Sequence, residues 1–336
     1  MKKQDLLTAL ETVKPGLAAK EMIEQSTSFA FMNGRVVTYN DEISLSHPVE
    51  DLEIEGAIQA DELYKLLNKL KEDEIEVEIK GGELLLKSGK TKAGLTLQQE
   101  ITLPLEEIGE TGKWKTLPEG FLNHIRFAMT CCSRDMSRPV LTCVHVSKEG
   151  VIEGSDGFRI TRCQLEKEMP IKTFLLPVSA AIQVVRLEPT KIATGDGWIH
   201  FQTTEGTVLS CRVFEDDYPD TKKFMEVEGV EIVLPKTIED ILDRAAIFAK
   251  RDHFLDESVT LTIEDKKVLV ESKSDAGWFK ESVRMRYDDS PITFSITPYL
   301  LRDILKETST CVLCEDRLKF EGAGWEHITT LRRNAE

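Results

Sequence analysis

Residues 60–98 read ADELYKLLNKLKEDEIEVEIKGGELLLKSGKTKAGLTLQ, and the spacing of their apolar side chains changes part-way along the stretch. Over 60–70, leucines recur every three or four positions, which is typical of an amphipathic helix. From residue 73 onward apolar and polar residues alternate, and Gly81-Gly82 interrupts the alternation where a hairpin turn would lie. The stretch therefore predicts one helix followed by a small antiparallel meander.

The same pattern recurs along the whole chain, which indicates an internal repeat. The helix-like segments are KQDLLTALETV (3–13), ADELYKLLNKL (60–70), PEGFLNHIRFAM (118–129), PVSAAIQVVRL (177–187), PKTIEDILDRAAIFAK (235–250) and PYLLRDILKET (298–308). From the second segment onward, their starts are 58, 59, 58 and 63 residues apart. Four segments begin with proline, which is favoured at the first helical position because that N–H has no partner within the helix.

These repeats also predict the domain organisation. A unit of roughly sixty residues buries too little apolar surface to be stable alone, so the units are expected to pair. The sequence therefore predicts an α+β protein of three tandem domains, at 1–113, 114–229 and 230–336. Each domain would contain two helix-plus-meander units.

The composition is typical of a water-soluble globular protein, with 41% hydrophobic and 30% charged residues in 336. No apolar run is long enough to cross a bilayer, and the N-terminal MKKQDLLTALETVKPG lacks the continuous apolar core of a signal peptide. We therefore expect a cytoplasmic protein with no membrane partner. Seven cysteines, an odd number, favour reduced and mostly buried thiols over a disulfide framework.

The sequence contains no strong catalytic, metal-binding or cofactor motif. Cys311 and Cys314 form a lone CxxC in an alternating stretch, where positions three apart point to opposite faces of a strand. SGKTKAG (88–94) lacks the glycine that a phosphate-binding loop needs six positions before Lys90. We predict no cofactor and no enzymatic activity. The remaining enzyme hypothesis is thiol chemistry at Cys131 or Cys163, although adjacent Cys131 and Cys132 are better interpreted as one buried and one half-buried thiol.

Charge is the second strong feature of the composition. The formal net charge is −16, which opposes nucleic-acid binding unless basic residues are concentrated on one surface. In the fourth helix, Ala181, Ile182 and Val185 are predicted to face the core. Basic residues lie away from the apolar stripes of the predicted helices at Lys65, Lys69, Arg126, Arg186, Arg244, Lys250, Arg302 and Lys306. They are either ordinary solvated residues or parts of one basic surface, and their spacing does not decide between these alternatives.

Six further stretches resemble one protein family in their order and spacing. They are ELLLKSGKTKAGLTL (83–97), SRPVLTCV (137–144), GSDGFRITRC (154–163), FEDDYPD (214–220), ITPYLLRDIL (296–305) and HITTLRR (327–333). Together they resemble the bacterial β sliding clamp, the processivity ring of the replicative DNA polymerase, or a phage relative of it. The resemblance extends over nearly the whole chain.

The resemblance implies a ring of two head-to-tail chains, with helices lining the hole and antiparallel sheets outside. Such a homodimer encircles double-stranded DNA and contacts its backbone without reading sequence. The resemblance adds Lys20, Arg134 and Arg138 to the helix cations as DNA contacts. It also implies ring closure between an edge near Leu103 and Leu105 and the partner chain near Val283.

The resemblance further implies a pocket for short peptide motifs of the polymerase, the clamp loader and other proteins. The implied lining residues are Leu141, Ser155, Gly157, Phe158, Arg159, Ile160, Pro219, Lys223, Phe224, Tyr299, Leu331 and Arg332. Gly157 would let a peptide backbone approach closely, Leu141, Ile160, Phe224 and Leu331 would form apolar walls, and Arg159 would hold polar groups at the rim. Phe158 stands where the family has histidine, Ile160 where it has leucine, and Thr329-Thr330 where it has Met-Pro. These departures affect which motif the pocket prefers.

Two alternatives to a sliding clamp remain open at this point. One is a scaffold with the same fold and pocket that binds proteins but does not encircle DNA, and the other is the thiol-dependent enzyme. The stoichiometry of a ring is also open, because rings of three two-domain chains have the same architecture.

Overall fold

The computed structural model describes residues 1–50, 52–109, 111–252 and 256–332. Its α-helices are α1 (Lys3–Val13), α2 (Ala60–Lys69), α3 (Phe121–Ala128), α4 (Val178–Leu187), α5 (Lys222–Met225), α6 (Ile238–Ala249) and α7 (Tyr299–Arg302). Short 3-10 helices lie at Lys14–Gly16, Leu105–Ile108, Met129–Cys131, Pro139–Thr142 and Ile304–Lys306.

The strands follow the helices in groups of three or four, except that a single strand follows α5. They are β1 (Ser28–Met32), β2 (Arg35–Tyr39), β3 (Ile43–Pro48), β4 (Gly56–Gln59), β5 (Glu76–Lys80), β6 (Glu83–Ser88), β7 (Thr91–Thr96), β8 (Lys115–Thr116), β9 (Cys143–Val146), β10 (Val151–Ser155), β11 (Arg159–Gln164), β12 (Phe174–Pro177), β13 (Lys191–Thr194), β14 (Trp198–Gln202), β15 (Val208–Arg212), β16 (Val230–Val233), β17 (Val259–Glu264), β18 (Lys267–Ser274), β19 (Gly277–Arg284), β20 (Ile292–Ile296), β21 (Thr310–Leu313), β22 (Arg317–Gly322) and β23 (Trp325–Thr330). The predicted α+β class, with antiparallel meanders after the helices, is confirmed.

The chain forms two compact units. Unit 1 contains Met1–Leu122 and Glu168–Glu215, and unit 2 contains Asn123–Lys167 and Asp216–Glu336. These bounds cut through the segment predicted as the middle domain. The reason is hydrogen bonding, since β15 pairs with β3 inside unit 1 and β11 pairs with β23 inside unit 2. The division into three domains at 1–113, 114–229 and 230–336 stays a prediction.

Unit 1 contains one large and one small antiparallel sheet. The large sheet runs in the order β4-β1-β2-β3-β15-β14-β13-β8, and the small one in the order β5-β6-β7. Helix α1 packs on β2 and β3 through buried side chains such as Leu10. In α2, Leu63 and Leu67 are buried while Lys65 and Lys69 are exposed, which confirms the predicted stripe.

Unit 2 has a matching arrangement. Seven of its strands follow one another as β9-β10-β11-β23-β22-β21-β16, and four others form the sheet β19-β18-β17-β20. Helix α6 packs on β17, β18 and β19 through a buried stripe. The members of that stripe are Ile238, Ile241, Leu242, Ala245 and Ala249.

Several helix details differ from the sequence-based expectations. None of the four prolines is the first helical residue: Pro177 and Pro298 directly precede their helices, and Pro118 and Pro235 lie three residues earlier, in turns closed by backbone hydrogen bonds. The last helix is short, because the chain tightens into a 3-10 turn after Arg302. In α4 the prediction for Ile182 is wrong. The small residues Ala180 and Ala181 face the core and leave Ile182 46% exposed.

The state of the cysteines agrees with the expectation in part. All seven cysteines are free thiols, and six are buried. Cys131 and Cys132 are both buried, so the expectation that one would be half-buried is wrong.

Within the described parts of the chain, no helix is long and apolar enough to span a membrane.

Candidate functional site

The turn between β10 and β11 in unit 2 is the centre of the site. Asp156 Oδ1 accepts the backbone N–H groups of Phe158 at 2.9 Å and Arg159 at 3.0 Å. Gly157 has φ +89°, which an L side chain would adopt only with strain. The turn therefore holds Phe158 outward, and its side chain is 39% exposed.

Arg159 lies below this turn and is buried in a polar network. Its Nε donates to Asp156 Oδ2 at 3.1 Å, its Nη1 to Asp303 Oδ2 at 3.2 Å and its Nη2 to the Thr130 carbonyl at 2.7 Å. Tyr299 Oη also donates to Asp156 Oδ2, at 2.9 Å. The expectation that Arg159 holds ligand groups at a rim is wrong, because protein acceptors occupy its guanidinium and fix the turn to α7.

Phe158 and Phe224 lie beside the same strand end. The Thr330 N–H donates to the Phe158 carbonyl at 2.9 Å, and Arg317 Nη1 donates to the Phe224 carbonyl at 3.3 Å. Arg317 and Thr330 are partners across β22 and β23. Leu331 follows Thr330 and is half-buried. We call Phe158, Phe224 and Leu331 the aromatic patch.

The aromatic patch combines exposed rings with nearby cations. Phe224 is 42% exposed, and Lys223 Nζ lies 5.0 Å from the centre of its ring. Arg138 Nη1 would lie 3.1 Å from a Cβ placed on Gly157, so this guanidinium covers the turn. Arg138 was expected to contact DNA, but its position is beside the patch. An apolar surface flanked by cations is suited to a peptide with apolar anchors and acidic or carbonyl groups.

The other residues implied as pocket lining have varied positions. Ser155 is buried and its Oγ donates to the Arg159 carbonyl, so it supports the turn from within. Ile160 is half-buried and Pro219 is exposed. The Leu141 N–H donates to the Arg138 carbonyl, which places Leu141 next to that cation. Arg332 turns away from the patch, because its Nη1 donates to the Glu257 carbonyl at 3.1 Å.

Sequence reasoning assigned no role to Asp156, Asp303 or Thr130. Asp156 had a local signal, the Asp-Gly pair of a turn. The other two had none, because they reach Arg159 through the tertiary fold. Arg159 and Asp303 are 144 residues apart in sequence.

A second buried cluster lies near Arg159. Thr161 Oγ1 is hydrogen-bonded to His327 Nδ1 at 2.8 Å and lies 3.0 Å from Cys131 Sγ. Burial raises the pKa of Cys131 and lowers that of His327 to about 3, while burial raises the pKa of Cys163 to about 12. These thiols stay protonated, which is the opposite of what thiol catalysis needs. Among the described residues, no three His, Cys, Asp or Glu side chains are grouped to hold a metal.

Thiol labelling should confirm that Cys131 and Cys163 are unreactive. With Ellman's reagent at neutral pH, we expect both to react at least about 100-fold more slowly than a free thiol, because they are buried and protonated. Cys314, which is half-buried, should react first in the native protein. In denaturant all seven should react. A fast single-site reaction mapped to Cys131 or Cys163 would restore the enzyme hypothesis.

His327 should make stability depend on pH. Its folded pKa is about 3, against 6.5 for an ordinary histidine, so the unfolded state binds more protons between these values. The free energy of unfolding should therefore fall as pH is lowered from about 7 towards 3, by up to roughly 4 kcal/mol. Urea unfolding from pH 7 to pH 4.5 measures this slope. His327→Gln should have a shallower slope, and equal slopes would contradict the assignment.

Comparisons with known proteins were made on both sequence and structure. No protein-family model and no curated protein sequence matches the chain. Crystal structures do match over almost its full length. The DNA polymerase III β subunit of Pseudomonas aeruginosa is 17% identical, with 99% of both chains covered and a TM-score of 0.85. The β subunit of Thermotoga maritima is 20% identical, with 100% and 99% covered and a TM-score of 0.80. The sliding clamp of Bacillus subtilis is 17% identical, with 100% and 98% covered and a TM-score of 0.83.

The chain has the fold of a bacterial sliding clamp. The resemblance found in the sequence is thus confirmed at the level of the fold. Within this sliding-clamp fold, the remaining candidates are the cations expected to contact DNA and the strand edges expected to close a ring.

The eleven cations expected to contact DNA are all exposed. Six of them are already held by neighbouring groups of the protein. These pairs are Lys65 with Asp61, Arg126 with Asn123, Arg186 with Gln183, Arg244 with Glu281, Arg302 with Asp243 and Lys306 with Asp303. The other five form no ion pair with any described residue; they are Lys20, Lys69, Arg134, Arg138 and Lys250. Because Arg244 makes a two-pronged bond to Glu281, it is the least available of the eleven.

The strand edges differ from the expectation at Leu103 and Leu105. Leu103 is buried in a small cluster with Tyr39 and Trp198, and Leu105 begins a 3-10 helix, so neither lies on a strand edge. The outer strands of the small sheet of unit 1 are β5 and β7, and Gln98, two residues after β7, forms a bridge with Ala57 of β4. Val283 does lie in an outermost strand, β19 of unit 2.

Apolar side chains lie next to the open edge of β19. Ile247 on α6 is 61% exposed, and the Phe248 ring stacks on Phe279 of β19 with 6.5 Å between ring centres. Trp278 of the same strand is 69% exposed. An unpaired strand beside exposed apolar residues is a typical surface for pairing with another chain.

Proposed function

We propose that this chain is a DNA sliding clamp, a processivity factor without catalytic activity of its own. Two copies would form a ring around double-stranded DNA and hold the replicative polymerase and other clamp-binding proteins at the aromatic patch. The observation that carries the proposal is the match of nearly the entire chain to sliding-clamp structures, with TM-scores of 0.80 to 0.86. The turn of Asp156 and Gly157, which presents Phe158, supports the second half of the proposal.

Ring closure would use the outer strands β7 and β19. At the opposite edges of the same sheets, Glu74 just before β5 bridges to Lys2, and Ser295 of β20 bridges to Arg332; on the β7 side a single bridge joins Gln98 to Ala57. Edge β7 belongs to unit 1 and edge β19 to unit 2. Two copies placed head to tail would pair β7 of each with β19 of the other and so form two equal joints. This replaces the proposed closure near Leu103 and Leu105.

The contact with DNA would be weak and mobile. Exposed lysine and arginine side chains neutralise phosphates without reading bases, which allows movement along the duplex. The five cations that no described neighbouring side chain holds are the strongest candidates, and Arg138 could also serve the aromatic patch. With a net charge of −16, the rest of the surface would repel DNA. Retention would then depend on the closed ring more than on affinity.

Partner peptides would bind by inserting apolar side chains beside Phe158, Phe224 and Leu331. In interfaces of this kind a few residues in well-packed, desolvated pockets carry most of the binding energy. The network of Asp156 and Arg159 keeps the turn in place before a peptide arrives, which lowers the entropy cost of binding.

The mass of the native protein tests the proposed ring. Light scattering at micromolar concentration should give about twice the 38.0 kDa of one chain. A monomer at that concentration would favour a scaffold that binds proteins without encircling DNA.

A further inference from the structure

A buried ionic cluster lies on three neighbouring strands of unit 2. Glu153 on β10 is opposite His145 on β9 and Arg162 on β11 in the strand register. His145 Nδ1 donates to Glu153 Oε2 at 2.9 Å, and Arg162 Nη1 donates to Glu153 Oε1 at 2.5 Å. The Glu153 side chain is almost fully buried. We call these three residues the Glu153 cluster.

The Glu153 cluster binds the chain segment 218–221. Thr221 Oγ1 donates to Glu153 Oε1 at 2.5 Å and accepts from Arg162 Nη1 at 3.3 Å. The Tyr218 ring stacks on His145, with 4.8 Å between ring centres and 10° between the planes. This segment leads directly into α5, which carries Phe224.

Charge is retained in the cluster despite its burial. Burial alone would raise the pKa of Glu153, but hydrogen bonds from His145 and Thr221 and the charge of Arg162 outweigh burial and hold it below the ordinary value. Burying an ion pair gives little or no net stability compared with well-packed apolar side chains. The advantage of the buried ion pair is geometric, because the Glu153 carboxylate accepts the hydrogen bond of the Thr221 hydroxyl in one geometry only.

The segment has few other anchors. The Phe224 N–H donates to the Thr221 carbonyl, so the first turn of α5 starts from the residue that Glu153 holds. Met225 is buried, and Arg317 donates to the Phe224 carbonyl from outside. Tyr218 Oη is buried and has no hydrogen-bond partner among the described residues. The hydrogen bonds of Thr221 are therefore the main directional link between this segment and the strands, and the stacking of Tyr218 on His145 adds an apolar contact.

We propose that the Glu153 cluster positions Phe224 for peptide binding by fixing segment 218–221 on β9, β10 and β11. Glu153, His145 and Arg162 are positioning residues in this inference, since the peptide would touch Phe224 and not the cluster. The inference rests on the proposed peptide-binding function of the aromatic patch.

The test replaces the whole cluster by apolar residues, as His145→Leu/Glu153→Leu/Arg162→Met. The urea midpoint should stay unchanged or rise, because apolar residues of similar volume replace a buried ionic group. The backbone amide of Phe224 should exchange about tenfold faster, and a fluorescein-labelled hexapeptide with adjoining Leu and Phe should bind about tenfold more weakly. The triple variant Lys319→Met/Glu321→Gln/Glu326→Gln is the matched control, since it removes another cross-strand ionic cluster of unit 2. It should change neither quantity.

A milder variant keeps the test valid if the triple variant does not fold. Thr221→Val removes only the hydroxyl that Glu153 accepts and should shift exchange and peptide affinity in the same direction, while Thr221→Ser should restore both. Unchanged Phe224 exchange and unchanged affinity in Thr221→Val would overturn the inference. If the unsubstituted protein binds no such peptide, the proposed function fails, and the exchange rate of Phe224 still tests the positioning role separately.

Discussion

Phe224→Asp should nearly abolish peptide binding. The ring is exposed, and the backbone carbonyl of Phe224 is tied through Arg317 to the strand end that also bonds Phe158, where the ring would contact the apolar anchors of a bound peptide. Replacing a central aromatic residue by a charged one removes a hot spot and leaves a carboxylate facing apolar groups. We expect affinity for a hexapeptide with adjoining Leu and Phe to fall by about 30-fold or more. Fluorescence anisotropy with the labelled hexapeptide measures the change.

The control for this variant is Met22→Asp. Met22 is an exposed apolar residue of unit 1, so its replacement adds the same charge to the unit that does not contain the aromatic patch. Its peptide affinity should equal that of the unsubstituted protein, and both variants should keep the same urea midpoint. If Phe224→Asp binds the peptide normally, the aromatic patch is not the binding site.

Ile247→Asp should convert the proposed ring to single chains. Ile247 lies on α6 beside the open edge of β19, and in a ring its side chain would be buried against the partner. A carboxylate there would be buried without a counter-charge at both joints. The cost would be about 2 kcal/mol per joint, so the two joints together would lower dimer affinity by about 1,000-fold. Native mass by light scattering at micromolar concentration should drop to that of one chain.

Ile182→Asp is the matched control for ring closure. Ile182 is also an exposed isoleucine on a helix, α4 of unit 1, but lies in neither of the edges proposed to pair. This variant should keep the mass of the unsubstituted protein. A dimer that survives Ile247→Asp unchanged would mean that chains pair through another surface than β19.

The fold was readable from the sequence where spacing alone determines burial. In α2, leucines three and four residues apart can only form one stripe, and that stripe is buried. The repeat of roughly sixty residues was readable for the same reason, because each change of period marks one helix and its strands. The strand partners were not readable. Pairing of β15 with β3 and of β11 with β23 joins segments far apart in sequence, so the compact units do not follow the order of the repeats.

The sequence also did not show which apolar residues of α4 are buried. Ile182 is the larger apolar residue, yet Ala180, Ala181 and Val184 are the buried residues of α4 and Ile182 is exposed. Hydrophobicity predicts that a residue can be buried, whereas the space between elements decides which one is. The prolines were predicted to be the first residues of their helices, but they lie before them. The fixed φ of proline also suits the residues just before a helix.

The candidate site was predictable as a location but not as a network. Asp156-Gly157 marks a tight turn in any context, and in the structure this turn leaves Phe158 39% exposed. The burial of Arg159 was not predictable, because its acceptors Asp303 and Thr130 come from other elements. The prediction of a strand edge near Leu103 was wrong for a similar reason. Leu103 is buried with Tyr39 and Trp198, which are contributed by distant strands of unit 1.

Retention on circular DNA tests the central claim most directly. The protein is assembled on a nicked circular plasmid by dilution from mild urea, and free protein is removed by gel filtration at about 0.3 M salt, where loose electrostatic contacts are lost. The protein should stay with the circle and leave it after one restriction cut, while Ile247→Asp should not be retained at all. Equal release from cut and uncut plasmid would show that no ring surrounds the duplex.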